Sequence, residues 1–258
     1  IEYGGRAIPA TRTTPDACEL QSLLAAMHGT GCDSAVVEVS SHALEQQRTA
    51  FLRFEAAAFT NLSQDHLDYH GTMEAYFQAK QRLFEQLAQD HPGAAAVCCL
   101  NGGSDYGARM AEYIATLPLR CVTCGFTPDA DLRAENVSVT PDGSRFTLVT
   151  PDGDRCELDV HLAGRYNIAN MLCAAGLALD AGVSLDTVAA TLEQVRPQWG
   201  RLERVATALP AAVFVDYAHT DDALCNVLTT LREITRGRLI VVFGCGGDRD
   251  RSKRPLMG

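Results

Sequence analysis

The first half of the chain alternates between short apolar runs and segments with helical spacing, and this rhythm limits the folds open to it. Apolar runs at 35–39, 54–62, 94–100 and 119–124 predict strands, and segments 73–89 and 105–116 predict helices. A helix of about 13 residues is expected after Pro15, with Thr14 as its cap. Such alternation is typical of a mostly parallel sheet flanked by helices, so we expect a doubly wound α/β core.

From residue 132 the pattern changes to short runs separated by turn signals. Pro141–Gly143 and Pro151–Gly153 each lie between alternating apolar residues, which predicts a small antiparallel appendage over 132–162. Helices are then expected at 165–181 and 184–195, the second capped by Ser184.

A linker near 196–204 is predicted to precede a second, incomplete α/β domain. Its expected elements are a strand at 212–216, a helix at 221–235, a strand at 239–243 and a Gly-rich loop at 244–254. The predicted domains are 1–200 and 201–258. Because the chain starts at Ile1 without Met and stops just after that loop, we expect a fragment of a longer protein.

Bulk composition narrows the class of protein. A length of 258 residues allows one to two domains, and the net charge of -10 argues against a general nucleic-acid-binding surface. No uncharged apolar run is long enough to span a membrane. The ten cysteines are scattered, and no signal peptide precedes them, which indicates a reducing cytoplasm. Cys121 and Cys124 have redox spacing, but we interpret them as two strand cysteines.

Polar groups follow the apolar runs at 35–39 and 54–62. Glu38 and Ser40 come at the end of the first run, and Asp65 and His66 follow the second. Ligands of α/β proteins lie at such strand ends. Carboxylate, hydroxyl and a single imidazole without a thiolate cluster favour a hard divalent cation with phosphate, so we predict a Mg²⁺ and anion site.

The motifs of the chain resemble those of the Mur ligases along essentially its whole length. The stretches that carry the resemblance are Thr13–Asp16, Glu38–Arg48, Thr60–Gly71, Gly164–Asn170, Gly200–Glu203, Val215–Thr220 and Phe243–Arg249. The resemblance implies a central ATPase-like domain, whose P-loop would lie upstream of Ile1, and the start of a Rossmann-like C-terminal domain. It also implies an ATP-dependent amide ligase of peptidoglycan synthesis.

The implied reaction adds meso-diaminopimelate or L-lysine to UDP-N-acetylmuramoyl-L-alanyl-D-glutamate through an acyl phosphate. The partners implied are that dipeptide, ATP and a diamino acid, with no nucleic acid or membrane, and the protein would be a cytoplasmic monomer. The choice of diaminopimelate rests on analogy, and the fragment alone is expected to be inactive.

The resemblance also assigns roles to individual residues. Lys80 would be carbamylated by CO2 and would join Glu38 and His66 as catalytic ligands of Mg²⁺; without the motif around it, Lys80 would be interpreted as a solvated helix lysine. The residues implied at the UDP-linked dipeptide are Thr13, Thr14, Ser40, Gln46 and Arg48. Those implied near the nucleotide are Asn170, Arg201, Asp216 and His219. Arg12 departs from the Asn that the family commonly has before the Thr pair.

Two other functions stay open from the sequence. One is a related ATP-dependent ligase, of the folylpolyglutamate or cyanophycin synthetase type. The other is a non-catalytic nucleotide-binding remnant, which the missing P-loop favours. Asp248, Arg249 and Arg251 receive no catalytic role, since a solvated charge run explains them.

Overall fold

The structure is a computed structural model, and it describes residues 1–100, 105–208, 211–245 and 253–258. The strands are β1 (Glu2–Tyr3), β2 (Arg6–Ala7), β3 (Ala56–Phe59), β4 (Ala95–Leu100), β5 (Arg120–Gly125), β6 (Leu132–Thr140), β7 (Gly143–Val149), β8 (Arg155–Val160), β9 (Glu203–Val205) and β10 (Val213–Val215). The helices are α1 (Ala17–Gly29), α2 (Ser41–Glu45), α3 (Leu67–His70), α4 (Met73–Asp90), α5 (Tyr106–Ile114), α6 (Arg165–Asp180), α7 (Leu185–Gln194), α8 (Asp221–Ile234) and α9 (Lys253–Met257).

One six-stranded sheet, in the order β3-β4-β5-β6-β7-β8, organises the molecule. The pairs β3–β4, β4–β5 and β5–β6 are parallel, and the pairs β6–β7 and β7–β8 are antiparallel. The α/β class is therefore confirmed. The segment predicted as an appendage extends the same sheet instead, because β6 pairs with β5 at Cys124 with Leu132 and at Gly125 with Arg133.

Helices cover both faces of the parallel strands. Alternate residues of β4 point to opposite faces. Val97 and Cys99 pack with α6 and α7, while Ala96 and Cys98 pack with α4 and α5. Apolar residues on both faces explain why β4 is an uninterrupted apolar run in the sequence.

Side-chain caps fix where several helices begin. Thr72, Ser184 and Thr220 each accept a hydrogen bond from the backbone N–H three residues later, at the starts of α4, α7 and α8. The cap predicted for α1 was wrong: Asp16, rather than Thr14, accepts from the Glu19 N–H, at 3.0 Å. Thr14 is buried and bonds to another segment.

Two predicted strands do not form among the described residues. Segments 35–39 and 239–243 have no strand pairing, and Val36 and Val242 are 95% and 96% exposed. A strand requires a neighbouring backbone to satisfy its N–H and C=O groups, and apolar composition does not supply that neighbour. Most of the predicted loop at 244–254, with Asp248, Arg249 and Arg251, lies outside the described residues.

The C-terminal part contains the antiparallel pair β9–β10 and the helices α8 and α9. It contacts the rest of the molecule through a small apolar cluster of Ala163, Leu202 and Leu231. None of the helices in the described ranges is both long enough and apolar enough to cross a membrane.

Candidate functional site

A buried threonine joins the two segments that precede α1 and α2. The Thr14 hydroxyl donates to the Glu38 carbonyl oxygen at 2.7 Å and accepts from the Ser40 N–H at 3.0 Å. Ser40 in turn caps α2, because its hydroxyl accepts from the Ala43 N–H. These bonds hold the Glu38–Ser40 backbone beside Thr14, whereas neighbouring Thr13 is exposed.

Arg48, which follows α2 in the chain, also bonds to Thr14. Its Nη1 donates to the Thr14 carbonyl oxygen at 2.8 Å, and its Nε donates to Gln46 Oε1 at 3.0 Å. Gln46 Nε2 contacts the Tyr69 hydroxyl at 3.4 Å. Four of the five residues predicted at the dipeptide therefore form one connected group: Thr14, Ser40, Gln46 and Arg48.

His66 lies at the start of α3 in the left-handed backbone region, with φ 56°. This conformation is uncommon outside glycine and asparagine, and it concentrates at functional sites. The Asp65 carboxylate accepts from the His66 N–H at 2.9 Å, and its other oxygen lies 3.5 Å from His66 Nε2. The same oxygen is 4.0 Å from His219 Nε2, so Asp65 connects the predicted metal ligand with the C-terminal part.

Lys80 lies one helical turn after Tyr76 on α4. Its Nζ is 5.2 Å from the centre of the Tyr76 ring. Burial lowers the pKa of Lys80, and the Glu38 charge acts in the opposite direction. The amine is thus more readily neutral than an exposed lysine, which a reaction with CO2 requires.

A cluster of histidine and tyrosine rings surrounds these groups, and the sequence reasoning did not assign it. The rings of His70 and Tyr76 stack at 4.8 Å, and His42 lies 4.8 Å from His66 and 4.1 Å from Tyr69. His70 Nε2 shares a buried 2.9 Å hydrogen bond with the Ser41 hydroxyl. All of these rings except Tyr76 lie within the stretches 38–48 and 60–71. The sequence signal for the cluster was therefore the histidine and tyrosine residues among the polar residues of those two stretches.

The ring cluster is poorly suited to positive charge. Burial lowers the pKa of His70. The pKa of His42 is lowered first by burial and then by the nearby His66. Burial also raises the pKa of Tyr76 to about 12. With pKa values shifted in these directions, His42 and His70 are less readily protonated than exposed histidines, and Tyr76 keeps its proton at pH 7.

The residues predicted near the nucleotide are only partly gathered. The Asp216 carboxylate accepts from the Leu202 and Ala218 N–H groups, at 2.7 and 2.8 Å, which is a local structural role. The Arg201 guanidinium lies 5.3 Å from the Tyr217 ring centre. His219 reaches Asp65, as described above, while Asn170 is an exposed residue of α6. Of the described residues, none hydrogen-bonds the Asn170 side chain.

The donor set fits a hard cation once Lys80 becomes a carbamate. Glu38 offers a carboxylate and His66 an imidazole, and a carbamate on Lys80 would add an anionic oxygen. In the described part of the chain, the only three His, Cys, Asp or Glu side chains that converge within 4.8 Å are Cys99, Cys124 and Cys173. The predicted Mg²⁺ site therefore depends on modification of Lys80, and the metal roles of these residues stay predictions.

Two family descriptions match the chain. Residues 1–178 match the Mur ligase middle domain, and residues 200–258 match the Mur ligase glutamate ligase domain. The chain belongs to the Mur ligase family. The predicted boundary at 200/201 stays a prediction.

Curated relatives that match nearly the whole chain share one name. UDP-N-acetylmuramoyl-L-alanyl-D-glutamate--2,6-diaminopimelate ligase of Geobacter sulfurreducens is 47% identical over 256 residues, covering 99% of this chain and 50% of that protein. The enzyme of that name from Bacillus velezensis is 41% identical over 257 residues, covering 100% of this chain and 52% of that protein. The chain thus spans about half the length of the curated relatives it matches.

Solved structures agree with the family. A structure of UDP-N-acetylmuramoyl-L-alanyl-D-glutamate--2,6-diaminopimelate ligase has a TM-score of 0.74 and 37% identity, covering 95% of this chain and 49% of that chain. A mutant FPGS of L. casei has a TM-score of 0.58 and 19% identity, covering 85% of this chain and 58% of that chain. The second likeness is one of fold alone.

Proposed function

We propose that the protein containing this chain is an ATP-dependent ligase that adds meso-diaminopimelate to UDP-N-acetylmuramoyl-L-alanyl-D-glutamate. The observation that carries the proposal is 47% identity to a relative of that name over 99% of the chain. Hydrogen bonds join segments 13–16, 38–48 and 60–71, and the helices α2 and α3 of the last two contact α4, which carries Lys80; this arrangement supports it. We place the reaction in the cytoplasm, where ATP and the UDP-linked substrate are made, and we propose a monomer.

The chemistry requires two anions to approach each other. The substrate carboxylate attacks the γ-phosphorus of ATP, forms an acyl phosphate and releases ADP. The amine of the diamino acid then attacks the acyl carbon, forms the amide, and expels inorganic phosphate with loss of a proton. Cations and oriented donors must neutralise the charge that develops during phosphoryl transfer.

Lys80 has the properties that carbamylation needs. Its neutral amine adds to the carbon of CO2 and loses one proton, giving an anionic carbamate. That oxygen, Glu38 and His66 would hold Mg²⁺, which when bound neutralises phosphate oxygens. The 5.2 Å contact with the Tyr76 ring and the lowered pKa of Lys80 are the supporting observations.

The remaining residues divide into two groups. Arg48 is fixed by Thr14 and Gln46, so its guanidinium is preorganised for the substrate's carboxylate or phosphate. We propose that exposed Thr13 and the hydroxyl of Ser40 complete that group. His219, Arg201, Asp216 and Asn170 would bind on the nucleotide side, where Asp216 shapes the backbone that carries Arg201 and His219.

The decisive experiment is ADP release by the full-length protein supplied with ATP, Mg²⁺ and UDP-N-acetylmuramoyl-L-alanyl-D-glutamate. Reactions with meso-diaminopimelate, L-lysine and no amino acid are compared. Stimulation by meso-diaminopimelate supports the proposal, and stimulation by L-lysine alone corrects the amino acid. If folded protein responds to neither but releases ADP with a folate or cyanophycin substrate, a related ligase replaces it. Absence of all turnover favours the binding remnant.

Substitution of Lys80 tests its place in that reaction. We expect Lys80→Ala to lower kcat on the order of 100-fold or more, because a metal ligand is lost. Lys80→Arg should be equally inactive, since a guanidinium keeps the charge but forms no carbamate. Formate or acetate, which can occupy the carbamate position, should partly restore the activity of Lys80→Ala.

Gln78→Ala, at an exposed position of α4, is the matched control and should keep full activity. Full activity of Lys80→Arg would contradict the carbamate.

A further inference from the structure

Three cysteine thiols meet inside the main apolar core. They come from β4, β5 and α6, and all three sulfur atoms lie within 4.8 Å of one another. Cys99, Cys124 and Cys173 are 1%, 0% and 4% exposed, and the Sγ atoms of Cys124 and Cys173 are 3.5 Å apart. Within the described ranges, none of the three is joined in a disulfide.

The fold dictates this meeting. Cys99 and Cys124 are paired in register on the parallel strands β4 and β5, so their side chains point to the same face of the sheet. Helix α6 crosses that face closely, because Gly176 lies against Val97, where a Cβ would be 3.1 Å from the valine methyls. This close approach brings the Cys173 sulfur next to the sulfurs of Cys99 and Cys124.

Cys98 shows that the grouping is specific. It is as deeply buried as its neighbour, at 0% exposure, but it faces the opposite side of the sheet. There its Sγ lies 3.1 Å from the Gly107 carbonyl oxygen. Burial of a cysteine in β4 therefore does not by itself place it in the three-thiol group.

The three sulfurs are electronically unequal. Hydrogen bonds from the thiols of Cys124 and then Cys173 lower the pKa of Cys99. The pKa of Cys124 is raised, first by its interaction with Cys173. Hydrogen bonds from two neighbouring thiols make the Cys99 proton easier to lose, which favours coordination of a soft ion, since the ligand of such an ion is the thiolate.

The distances also suit three-fold coordination. An ion at about 2.3 Å from each of three sulfurs in a plane separates those sulfurs by about 4.0 Å. That value lies between the 3.5 Å of the closest pair and the 4.8 Å limit of the group. Structural zinc almost always takes four ligands, and no fourth His, Cys, Asp or Glu joins the group within the described ranges.

We propose that Cys99, Cys124 and Cys173 form a binding site for a soft, three-coordinate metal ion of the Cu(I) class. The ion replaces thiol protons, which leave to solvent, and no electron is transferred. The site lies on the face of the sheet covered by α6, whereas α4, which carries Lys80, packs on the other face. It therefore lies on the opposite face of the sheet from the helix that carries Lys80, and it would tie β4, β5 and α6 together.

The experiment uses reduced full-length protein and Cu(I), under anaerobic conditions, with a competing Cu(I) chelator. Because entry to a buried site requires local opening, each protein is tested both native and after refolding with Cu(I). We expect the parent and Cys98→Ala to bind one more Cu(I) per chain than Cys124→Ala and Cys173→Ala. Bound Cu(I) should raise Tm in the first two proteins alone. Equal stoichiometry in all four would overturn the proposal.

A second measurement uses the parent protein alone, so its result does not depend on whether the variants fold. X-ray absorption at the copper edge of the parent protein, loaded with one equivalent, should show three sulfur neighbours. Two sulfur neighbours, or oxygen and nitrogen ligands, would contradict the site. Zn²⁺ is tested in parallel, and preferential retention of Zn²⁺ over Cu(I) by the parent would also overturn the assignment.

Discussion

Individual residues in the candidate site act mainly by holding other residues in place. Thr14 fixes the backbone of Glu38 and Ser40, and its carbonyl oxygen accepts a hydrogen bond from Arg48. Asp65 similarly connects His66 with His219. Substitutions at such positions should change stability and geometry before they change chemistry, which separates them from Lys80.

We expect Thr14→Val to lower the free energy of unfolding by about 1–3 kcal/mol, because the partly buried Ser40 N–H loses its acceptor while the side-chain volume is nearly unchanged. Urea denaturation of the full-length protein measures the loss. Thr13→Val is the matched control: that side chain is exposed, so its effect should stay within about 0.5 kcal/mol. Equal effects at both positions would contradict the structural role of Thr14.

His70 should make stability depend on pH. Its folded pKa is lowered by burial, so the unfolded chain binds the proton more readily. The stability it contributes is fully present above its unfolded pKa of about 6.5 and is lost as pH falls below that value. His70→Gln can keep a hydrogen bond to Ser41 but does not titrate.

Unfolding free energies measured from pH 7 downward test the predicted loss of stability at low pH. The parent should lose stability more steeply than His70→Gln as pH falls. His28→Gln, at an exposed position of α1, should follow the parent curve. Parallel curves for the parent and His70→Gln would show that His70 does not contribute the pH dependence.

At the scale of elements, close approach of helices to the sheet decides where side chains meet. Helix α6 presents Gly176 to Val97, and α5 presents Gly107 to the backbone of β4. A Cβ on Gly107 would lie 2.2 Å from the Cys99 carbonyl oxygen, which is closer than atoms can approach. These glycines set the distance between layers of the fold.

Gly107→Ala is therefore expected to lower the free energy of unfolding by about 1–3 kcal/mol or more, because α5 must move away from β4. Gly29→Ala is the matched control at the last residue of α1, where a Cβ meets nothing within 4 Å. Alanine is the better helix former, so that change should be neutral or slightly stabilising. Thermal and urea unfolding distinguish the two, and a neutral Gly107→Ala would contradict the close packing.

For the whole molecule, the main sheet and the C-terminal part differ in how much core they have. The sheet has an apolar core on each face, whereas residues after 200 share with the rest of the molecule a small apolar cluster containing Leu202 and Leu231, besides the polar contacts Arg204–Asp142 and His219–Asp65. Few buried apolar contacts mean a low free energy of local opening. The C-terminal part should open without unfolding of the sheet.

Leu231→Ala tests this difference. Removal of the buried side chain should reduce the local stability of α8 and β10 by about 2–5 kcal/mol. Amide hydrogen exchange should accelerate in those elements and stay unchanged in β4 and β5. Leu256→Ala, at a residue that is 58% exposed, is the control and should alter neither. Faster exchange throughout the sheet would show that the two parts unfold together.

Local sequence patterns predicted the helices and strands whose formation depends mainly on neighbouring residues. The apolar run of β4, the period of α4 and the Ser184 cap of α7 were confirmed within a few residues. Motifs also carried the family, which the match over 1–178 confirms. These features depend on backbone propensity, capping and burial on a strand, all of which can be inferred from neighbouring residues.

Tertiary structure alone decided the features that depend on distant partners. Segment 35–39 is as apolar as a strand but finds no described backbone to pair with, and β6 joins the main sheet because β5 offers an open edge. Thr14 with Arg48, Asp65 with His219, and the three thiols meet across large sequence separations. Because strand pairing and side-chain convergence are set by how layers pack, no local pattern specifies them.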